Sequence, residues 1–505
     1  MKILLNNFIM KKFIINTGFL LAATLTINAL SAEALEIVYP KTQNSEITAS
    51  STFFIGNTNP DSKLTINGKE VKVHDNGSFV EVVQLKDGQN EIIIDSQNES
   101  EHESKTYVIK KIPKSEITKA EPVTEEFPEN QYVYASTVKN NVPLRTEANE
   151  NAKRITHLSK DVMLHLDAKK GDYYRVYLSP SQNAWVKADN IVAYSTLNGQ
   201  MRSAVLKTAQ CDDKLYEYIK TTVSFQVPYK VTETDTGLKV ELFNIKENAD
   251  EVKQLKQTNA IKNIAINTLK LDSVSTYYID LNQRLWGYDA YYDENTFVLK
   301  IRKAPKINPQ NPLKDISITI DAGHGGSDSG AVGPTGVKEK DINLDISKKL
   351  QKILEEKGAE PTMTREEDCS VELYKRAKIG KDVDSLFMIS IHANALPDGA
   401  DPYKKHGTSV FFYNPQAAEL AKTIRNTLTK ELETKDDGVC ACSFVMTRPT
   451  MPLSVLIEVA YMIHPDEYKL LLDEDFRQKA AEAVAKSLEN YLLNSLNNNG
   501  KNIQP

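Results

Sequence analysis

The chain has few cysteines and no marked excess of charge of either sign. Four cysteines in 505 residues are too few for a disulfide-stabilised scaffold. The formal net charge is −6, so nucleic acid is a poor candidate for the main partner. Hydrophobic residues make up 40% of the chain and charged residues 26%. This balance argues against wholesale disorder and against a multi-span membrane protein, and it favours several small folded units.

Familiar catalytic motifs are also missing. There is no G-x-S-x-G sequence, so a serine hydrolase built on a nucleophile elbow is not expected. Gly323-x-Gly325 lacks the third glycine of a dinucleotide-binding loop. Cys440-Ala441-Cys442 is not a C-x-x-C pair, and we expect both cysteines to pack as small apolar residues.

Residues 1–34 have the features of a signal peptide. Lys11 and Lys12 precede an apolar run from Phe13 to Leu30, and Ala32-Glu33-Ala34 has the pattern of a cleavage site. The alternative, a retained membrane anchor, is weakened by polar residues within the run, such as Asn16. We therefore expect a mature protein without a membrane span, which is secreted or periplasmic.

Short apolar runs separated by turn signals predict three small, mainly β domains after the signal peptide. Asn67-Gly68 between two such runs predicts a type I′ hairpin, because both central residues of that turn need positive φ. Proline-containing segments mark two linkers. The expected boundaries are a β-sandwich-like domain at 36–112, a linker at 113–130, an SH3-like β-barrel at 131–195, a β-rich targeting-type domain at 198–304 and a linker at 305–314.

Residues 131–195 resemble the bacterial SH3-like barrel, a common wall-binding accessory module. The resemblance rests on three segments in order: Val142-Pro143-Leu144-Arg145, Gly171-Asp172-Tyr173-Tyr174-Arg175-Val176 and Ala184-Trp185-Val186. Tyr173, Tyr174 and Trp185 could stack on a ligand, but a position in the barrel core is the preferred interpretation for Trp185.

From residue 315 to 493, strand-like and helix-like runs alternate. This alternation predicts a three-layer α/β domain, so the whole chain is expected to be multidomain, with three small mainly β domains before this one. Gly358 follows the first amphipathic helix at the expected C-terminal stop. Residues 494–505 are expected to form a disordered tail.

Two histidines and two carboxylates stand out in this last domain. His324 and His392 each follow a predicted core strand, and ligand sites of parallel sheets lie outside the carboxyl ends of strands. Glu339 opens a helix, and Glu458 lies at the end of an apolar strand where an uncompensated charge is costly. Two imidazoles and one carboxylate are a recognised zinc ligand set with room for water. Taken singly, each residue has an ordinary structural explanation, so the metal interpretation depends on the combination.

Together these residues lie in motifs that resemble the zinc-dependent N-acetylmuramoyl-L-alanine amidases of bacterial cell walls. The motifs are Asp321-Ala322-Gly323-His324-Gly325-Gly326, Glu339-Lys340-Asp341-Ile342-Asn343-Leu344, Thr364-Arg365, Ser390-Ile391-His392-Ala393-Asn394 and Leu456-Ile457-Glu458-Val459. The resemblance implies Zn²⁺ as cofactor, His324, Glu339 and His392 as metal ligands, and Glu458 as the catalytic carboxylate. It implies peptidoglycan as the partner, and hydrolysis of the amide between the muramoyl lactyl group and L-alanine.

Other interpretations remain open at this point. The alternatives are a zinc peptidase of stem peptides and a non-catalytic wall-binding protein. The segment after Glu458, which includes His464, departs from the family pattern; His464 could reach the site, but a helix N-cap or turn before Pro465 is preferred. Asp321 and Asp328 are candidate partners of the histidines.

Two further expectations concern the cleft. Residues 395–406 are too few for a substantial helix that blocks the cleft, so we expect activity without an activator protein. No substrate-binding residue is assigned. Arg376 and Arg448 could bind stem-peptide carboxylates, or each could form a surface salt bridge.

Overall fold

The computed structural model describes residues 35–113, 122–129, 131–198, 200–248, 255–269 and 272–497. The expected signal peptide, residues 1–34, lies outside these ranges, as do 114–121 of the first expected linker and 498–505 of the expected tail. The described chain is mainly β up to Arg302 and mixes strands with helices from Ser317 onward. No helix within the described ranges is long and apolar enough to cross a membrane.

Residues 35–111 form two sheets around one apolar cluster, which includes Phe54, Phe79 and Ile92. The sheet orders are β1-β3-β6 and β2-β8-β7-β4-β5. Asn67 and Gly68 have φ of 50° and 76°, so the expected hairpin turn is confirmed. The strands are β1 Leu35–Tyr39, β2 Asn44–Ile47, β3 Ser51–Thr58, β4 Lys63–Ile66, β5 Lys69–Val71, β6 Ser78–Gln84, β7 Gly88–Gln97 and β8 His102–Lys111.

The next unit is one sheet in the order β12-β11-β15-β14-β13-β10-β16, with β9 paired to β13 outside this path. Trp185 is 9% exposed and Tyr173 is also buried, whereas the apolar cluster of the unit contains the strand neighbours Ala184 and Val186. The strands are β9 Thr124–Glu126, β10 Gln131–Thr137, β11 Val142–Arg145, β12 Arg154–Leu158, β13 Met163–Lys170, β14 Tyr173–Ser179, β15 Gln182–Lys187 and β16 Ile191–Asn198.

Residues 203–302 form two further sheets, β21-β17-β18-β25-β24 and β19-β20-β23-β22. Their apolar cluster is continuous with that of the preceding unit: Val162 and Leu164 belong to the same cluster as Val227 and Tyr229. The strands are β17 Ser203–Asp212, β18 Tyr216–Val223, β19 Tyr229–Glu233, β20 Gly237–Leu242, β21 Ile245–Asn248, β22 Ile261–Leu269, β23 Val274–Leu281, β24 Tyr288–Asp293 and β25 Thr296–Arg302.

The C-terminal unit has a six-stranded sheet in the order β27-β26-β28-β31-β29-β30, in which only β29 and β31 pair antiparallel. Residues of α1, α3 and α5 share the largest apolar cluster with one face of the sheet. The helices are α1 Glu339–Glu356, α2 Leu373–Asp382, α3 Ala418–Leu432, α4 Pro465–Leu472 and α5 Glu474–Asn497. The strands are β26 Ser317–Ala322, β27 Glu360–Met363, β28 Phe387–Asn394, β29 Thr408–Phe412, β30 Asp436–Ala441 and β31 Leu453–Tyr461.

Three expected boundaries are wrong in detail. The end of the first expected linker forms strand β9, because its backbone pairs with the free edge of β13 and Glu126 bonds to Arg175. Leu313 of the second expected linker is fully buried in the C-terminal core. The last helix continues to Asn497, so the expected tail does not start at Asn494.

Candidate metal centre

Two strands and one helix of the C-terminal unit bring His324, Glu339 and His392 together. His324 follows β26, His392 lies near the end of the neighbouring parallel strand β28, and Glu339 is the first residue of α1. The carboxyl ends of β26 and β28 meet at the same edge of the sheet, as ligand sites of parallel sheets require. One potential ligand atom of each residue lies within 4.8 Å of the others.

The two imidazoles converge on one carboxylate oxygen. Nε2 of His324 lies 3.2 Å from Oε1 of Glu339, and Nδ1 of His392 lies 3.0 Å from the same atom. The two rings are nearly perpendicular, at 80°, with centroids 4.9 Å apart. Nitrogens that face a shared point from different directions can bind one ion, and this is the ligand set of a zinc site with an open position.

The partner of His324 fixes which of its nitrogens is available. Nδ1 of His324 lies 2.9 Å from Oδ2 of Asp328, so Nδ1–H donates to that carboxylate and Nε2 is left facing Glu339. Metal-bound histidines commonly donate their other ring N–H to a carboxylate in this way. Of the two expected partners, only Asp328 contacts a histidine. Asp321 instead accepts from Thr364, Ser390 and Arg376.

The pKa values of His324 and Glu339 reflect how close these residues lie to one another. Burial acts to lower the pKa of His324, but the hydrogen bonds and charges of Glu339 and Asp328 raise it to about 9. Burial alone would raise the pKa of Glu339, whereas its hydrogen bonds with the two histidines hold the pKa well below its ordinary value. The carboxylate is therefore ionised in the folded protein, as a metal ligand must be.

Glu458 lies beside these residues on strand β31. It is the register partner of His392 on the adjacent strand β28. Its Oε2 is buried and, among the described residues, has no hydrogen-bond partner. Burial, and secondarily the negative charge of Glu339, raise the pKa of Glu458 well above its ordinary value. A carboxyl group kept in this state next to a metal site can exchange a proton with a substrate.

Sequence comparisons agree with this geometry. The profile of the N-acetylmuramoyl-L-alanine amidase family matches residues 318–490. The Bacillus subtilis protein YqiI, described as uncharacterized, is 37% identical over 199 residues, which cover 38% of this chain and 93% of YqiI. The chain belongs to the N-acetylmuramoyl-L-alanine amidase family.

Other relatives match a similar share of the chain. The N-acetylmuramoyl-L-alanine amidase LytC of Bacillus subtilis is 32% identical over 186 residues, which cover 36% of either protein. Among solved structures, the amidase AmiC2 of Nostoc punctiforme is 33% identical, with a TM-score of 0.34, and the match covers 37% of this chain and 99% of that one. The catalytic domain of CwlV from Bacillus (Paenibacillus) polymyxa is 31% identical, with a TM-score of 0.33, and the match covers 35% and 98%. The expectation of an amidase from the sequence motifs is confirmed at the level of the family.

Two glycines allow the candidate metal ligands to approach each other closely. A Cβ on Gly323 would lie 2.3–2.7 Å from ring atoms of His392, and a Cβ on Gly330 would lie 2.4 Å from Oε2 of Glu339. His324 itself has φ of 60°, a left-handed conformation that is uncommon for a residue other than glycine. The glycine-rich loop thus serves close packing around the candidate ligands as well as chain bending.

The sequence motifs did not reveal the groups that orient Glu339. Nδ2 of Asn343, one helical turn later, donates to Oε1 of Glu339 at 3.1 Å, and the backbone N–H of Ala331 donates to Oε2 at 2.9 Å. The i, i+4 spacing of Glu339 and Asn343 on a helix is the one sequence signal that could have identified this contact.

A second cluster of two histidines and a glutamate lies at the same edge of the sheet. Nδ1 of His406 lies 2.6 Å from Oε1 of Glu467, and the ring of His464 stacks on that of His406. Nδ1 of His464 accepts from the backbone N–H of Glu467 and caps helix α4, as preferred from the sequence. Within the described ranges, His464 forms no hydrogen bond or ring contact with the first cluster.

The expectation for the two cysteines is wrong, and the two arginines differ from each other in their partners. Cys440 is exposed and Cys442 half-buried, with their sulfurs 2.6 Å apart, so they do not pack as buried apolar residues. The reason is that β30 is an edge strand with little covering it. Arg376 is buried in an ion pair with Asp321, whereas Arg448 is only partly buried and forms no ion pair within the described ranges.

Proposed function

We propose that this protein hydrolyses the amide bond between the lactyl group of N-acetylmuramic acid and L-alanine in peptidoglycan, and that it depends on zinc. The observation that carries this proposal is the convergence of His324 and His392 on one oxygen of Glu339, with Glu458 next to them. Family membership supports the amidase reaction, and the ligand chemistry supports the metal.

The residues present fit a zinc ion. The set offers two imidazole nitrogens and one ionised carboxylate, and Asp328 holds His324 in the tautomer whose Nε2 is free to bind a metal. We propose His324, Glu339 and His392 as its ligands. Zinc bound there supplies Lewis-acid activation of a carbonyl group and of water at neutral pH.

We propose Glu458 as the group that moves the proton. Its unpartnered Oε2 accepts a proton from the attacking water and delivers it to the nitrogen of L-alanine as the amide bond breaks. The raised pKa of Glu458 favours retention of that proton between the two steps. The hydroxyl of Ser409, the register partner of Glu458 on β29, is also buried without a hydrogen-bond partner in the described chain and faces the same region.

The wider setting is also part of the proposal. We propose an exported protein that acts at the cell wall, with a three-layer α/β catalytic domain after three mainly β domains. Residues 395–406 contain turns and no helix, which supports activity without an activator protein. The SH3-like segment, residues 131–195, is proposed as a wall-binding accessory.

Digestion of purified peptidoglycan tests the proposal. The mature chain should release new amino ends that are exclusively L-alanine, and a chelator should abolish this release until zinc is restored. Glu458→Gln should retain bound zinc and lose turnover, by about 10²-fold or more. New amino ends of any other stem residue would indicate a peptidase, and the absence of new ends with wild-type protein would refute hydrolysis.

A further inference from the structure

Three arginines meet where the SH3-like unit contacts the catalytic unit. Arg145 and Arg154 are cross-strand partners on β11 and β12. The hydroxyl of Tyr413 donates to the carbonyl oxygen of Arg154 at 3.4 Å, and the amide of Asn414 donates to the carbonyl oxygen of Arg448 at 2.9 Å. Two adjacent residues of the catalytic unit thus connect Arg448 with the arginine pair. We call Arg145, Arg154 and Arg448 the arginine cluster.

No member of the arginine cluster is paired with a carboxylate in the part of the chain that the structure describes. Arg145 donates to the carbonyl of Ala152, and Arg448 donates to the hydroxyl and the carbonyl of Ser443. Ion pairs with carboxylates are formed by other arginines of the chain, namely Arg175, Arg284, Arg302, Arg376, Arg425 and Arg477. Like charges directly across a strand pair are unfavourable, so the cluster holds positive charge that an anion would stabilise.

The surrounding groups do not neutralise this charge. One guanidinium nitrogen of Arg154 lies 3.1 Å from Nε2 of His157, which must accept and is therefore unprotonated. Burial, followed by the charge of Arg154, lowers the pKa of His157 to about 4, so this histidine adds no charge of its own. Glu150 is close enough to be influenced by Arg145, but it is bonded to Lys187 at 2.6 Å.

A strip of apolar side chains leads from the catalytic carboxylate to the cluster. Leu456 shares the face of β31 with Glu458, and Phe411 is its register partner on β29. The ring of Phe411 packs edge-on against that of Phe444, with centroids 5.3 Å apart. Phe444 is 44% exposed, and its carbonyl accepts from the backbone N–H of Arg448. The strip is therefore continuous and reaches the surface.

We propose that the arginine cluster binds a carboxylate near the free end of the stem peptide while its L-alanine end lies at Glu458. This inference rests on the proposed function and names a specificity site for it. The strip spans roughly 15–20 Å by strand rise and ring contacts, and an extended peptide of about five residues covers a similar length. A guanidinium group is suited to this task because it binds carboxylates through two parallel hydrogen bonds.

The test uses the full-length chain with Arg154→Gln and Arg448→Gln, singly and combined. Arg202→Gln is the matched control, because Arg202 is exposed, bonds only to the neutral Gln200 side chain and is not part of the strip. Substrates are a muramoyl tetrapeptide with a free terminal carboxylate, the same peptide with a terminal amide, and a muramoyl dipeptide. The double variant should raise KM for the free tetrapeptide by about tenfold or more, with kcat changed less than about twofold.

The two other substrates make the test specific. The wild-type preference for the free tetrapeptide over its amide should disappear in the double variant, and the dipeptide should be cleaved equally by both proteins. Arg154→Lys should restore part of the preference, because it keeps the charge without the two-pronged geometry. Equal KM values, or the same loss in Arg202→Gln, would overturn the inference.

A binding measurement separates this inference from the amidase proposal. Fluorescence anisotropy of a labelled tetrapeptide is recorded with Glu458→Gln, alone and combined with the arginine substitutions. If wild type cleaves no muramoyl peptide, the proposed function fails while this measurement still reports on the cluster. If the arginine substitutions weaken binding of a glycerol phosphate oligomer but not of the tetrapeptide, the cluster binds phosphate polymers and the inference is wrong.

Discussion

Two His–His–Glu clusters lie at one edge of the same sheet, yet their geometries differ. At the candidate metal centre, the rings of His324 and His392 are nearly perpendicular and both face Oε1 of Glu339. In the second cluster, the rings of His406 and His464 are stacked at 17°, with centroids 4.1 Å apart. Ligand atoms are close together in both clusters. Proximity alone therefore does not distinguish a metal site from a hydrogen-bonded cluster.

One difference lies between His324 and His464, in what the second ring nitrogen does. In His324 the second nitrogen donates a hydrogen bond to Asp328, so Nε2 can offer its lone pair to a metal once it has lost its own proton. In His464, Nδ1 accepts a backbone N–H, so the proton of the neutral ring sits on Nε2 and neither nitrogen is free for a metal. We therefore expect hydrogen bonds and ring stacking, rather than a metal, to hold the second cluster together.

The second cluster instead lies where the N-terminal β unit meets the catalytic unit. His74 of the N-terminal unit lies 3.7 Å from Asp466, and the hydroxyl of Tyr403 donates to the carbonyl of Val80. Asp398 accepts from the side chains of Tyr39 and Thr52, at 2.7 Å each. The location of the second cluster therefore suits a role in joining the N-terminal unit to the catalytic unit.

Metal content gives the largest expected difference between the clusters. His392→Ala should reduce zinc affinity by more than the roughly 100-fold that loss of an outer partner costs, because a ligand is removed. His464→Asn should leave the zinc content at that of wild type. Bound metal is measured by mass spectrometry after gel filtration, and affinity by competition with a chromophoric chelator.

One outcome would reverse this comparison. If His464→Asn lowered the zinc stoichiometry while His392→Ala retained it, the second cluster would be the metal centre. His102→Ala serves as the control, since His102 is an exposed residue of the N-terminal unit whose side chain bonds, among the described residues, to Asp95 alone.

Proton release on metal binding should also come from the first cluster alone. With a pKa of about 9, metal-free His324 is protonated at neutral pH and must lose its proton to become a ligand. Zinc affinity should therefore rise about tenfold per pH unit between about pH 7 and 9. Calorimetry in buffers of different ionisation enthalpy should report release of about one proton at pH 7.5. An affinity that does not change with pH would contradict the assignment of His324.

A smaller change is expected from the outer partner Asp328. Asp328→Asn keeps the shape but weakens the acceptor for Nδ1–H of His324, so zinc affinity should fall by about tenfold. Asp315→Asn is a matched control at an exposed position of the same unit. If Asp328→Asn has no effect on affinity, the carboxylate does not set the tautomer of His324.

Much of the C-terminal unit could be predicted from the sequence because its signals are local. The glycine loop, the apolar strands and the helix start at Glu339 each depend on neighbouring residues, and together they indicated His324, Glu339, His392 and Glu458. Contacts between distant segments could not be predicted in this way. His406 meets Glu467 across 61 positions of the chain, and strand β9 forms because a free edge is available on β13.

The core shared by the two middle β units could not be predicted either, because it too depends on contacts between distant segments. The sequence analysis placed a boundary between residues 195 and 198, but burial of Tyr229 against the preceding β unit depends on how the two units dock. Likewise, no local pattern shows that, among the described residues, Arg448 forms no ion pair with a carboxylate while Arg376 forms one. That distinction depends on Asp321, which lies 55 positions from Arg376.

Stability at low pH gives the smallest difference between the clusters. Burial, and then the charge of His406, lowers the pKa of His464, and burial, and then Lys72, lowers that of His74. A histidine with a lowered pKa stays neutral in the folded protein, while its unfolded form takes up a proton below about pH 6.5. Its contribution to stability is therefore present above that pH and is lost as the pH falls.

His464→Asn tests this sign directly, because asparagine is a good N-cap but does not titrate. Between about pH 7.5 and 5, wild type should lose more stability than the variant, by on the order of 1 kcal/mol. For a unit of this size that corresponds to roughly 2–4 °C in the thermal midpoint. Parallel pH profiles for the two proteins would show that His464 does not titrate on unfolding, and a steeper loss in the variant would mean that the imidazole is stabilised in its charged form.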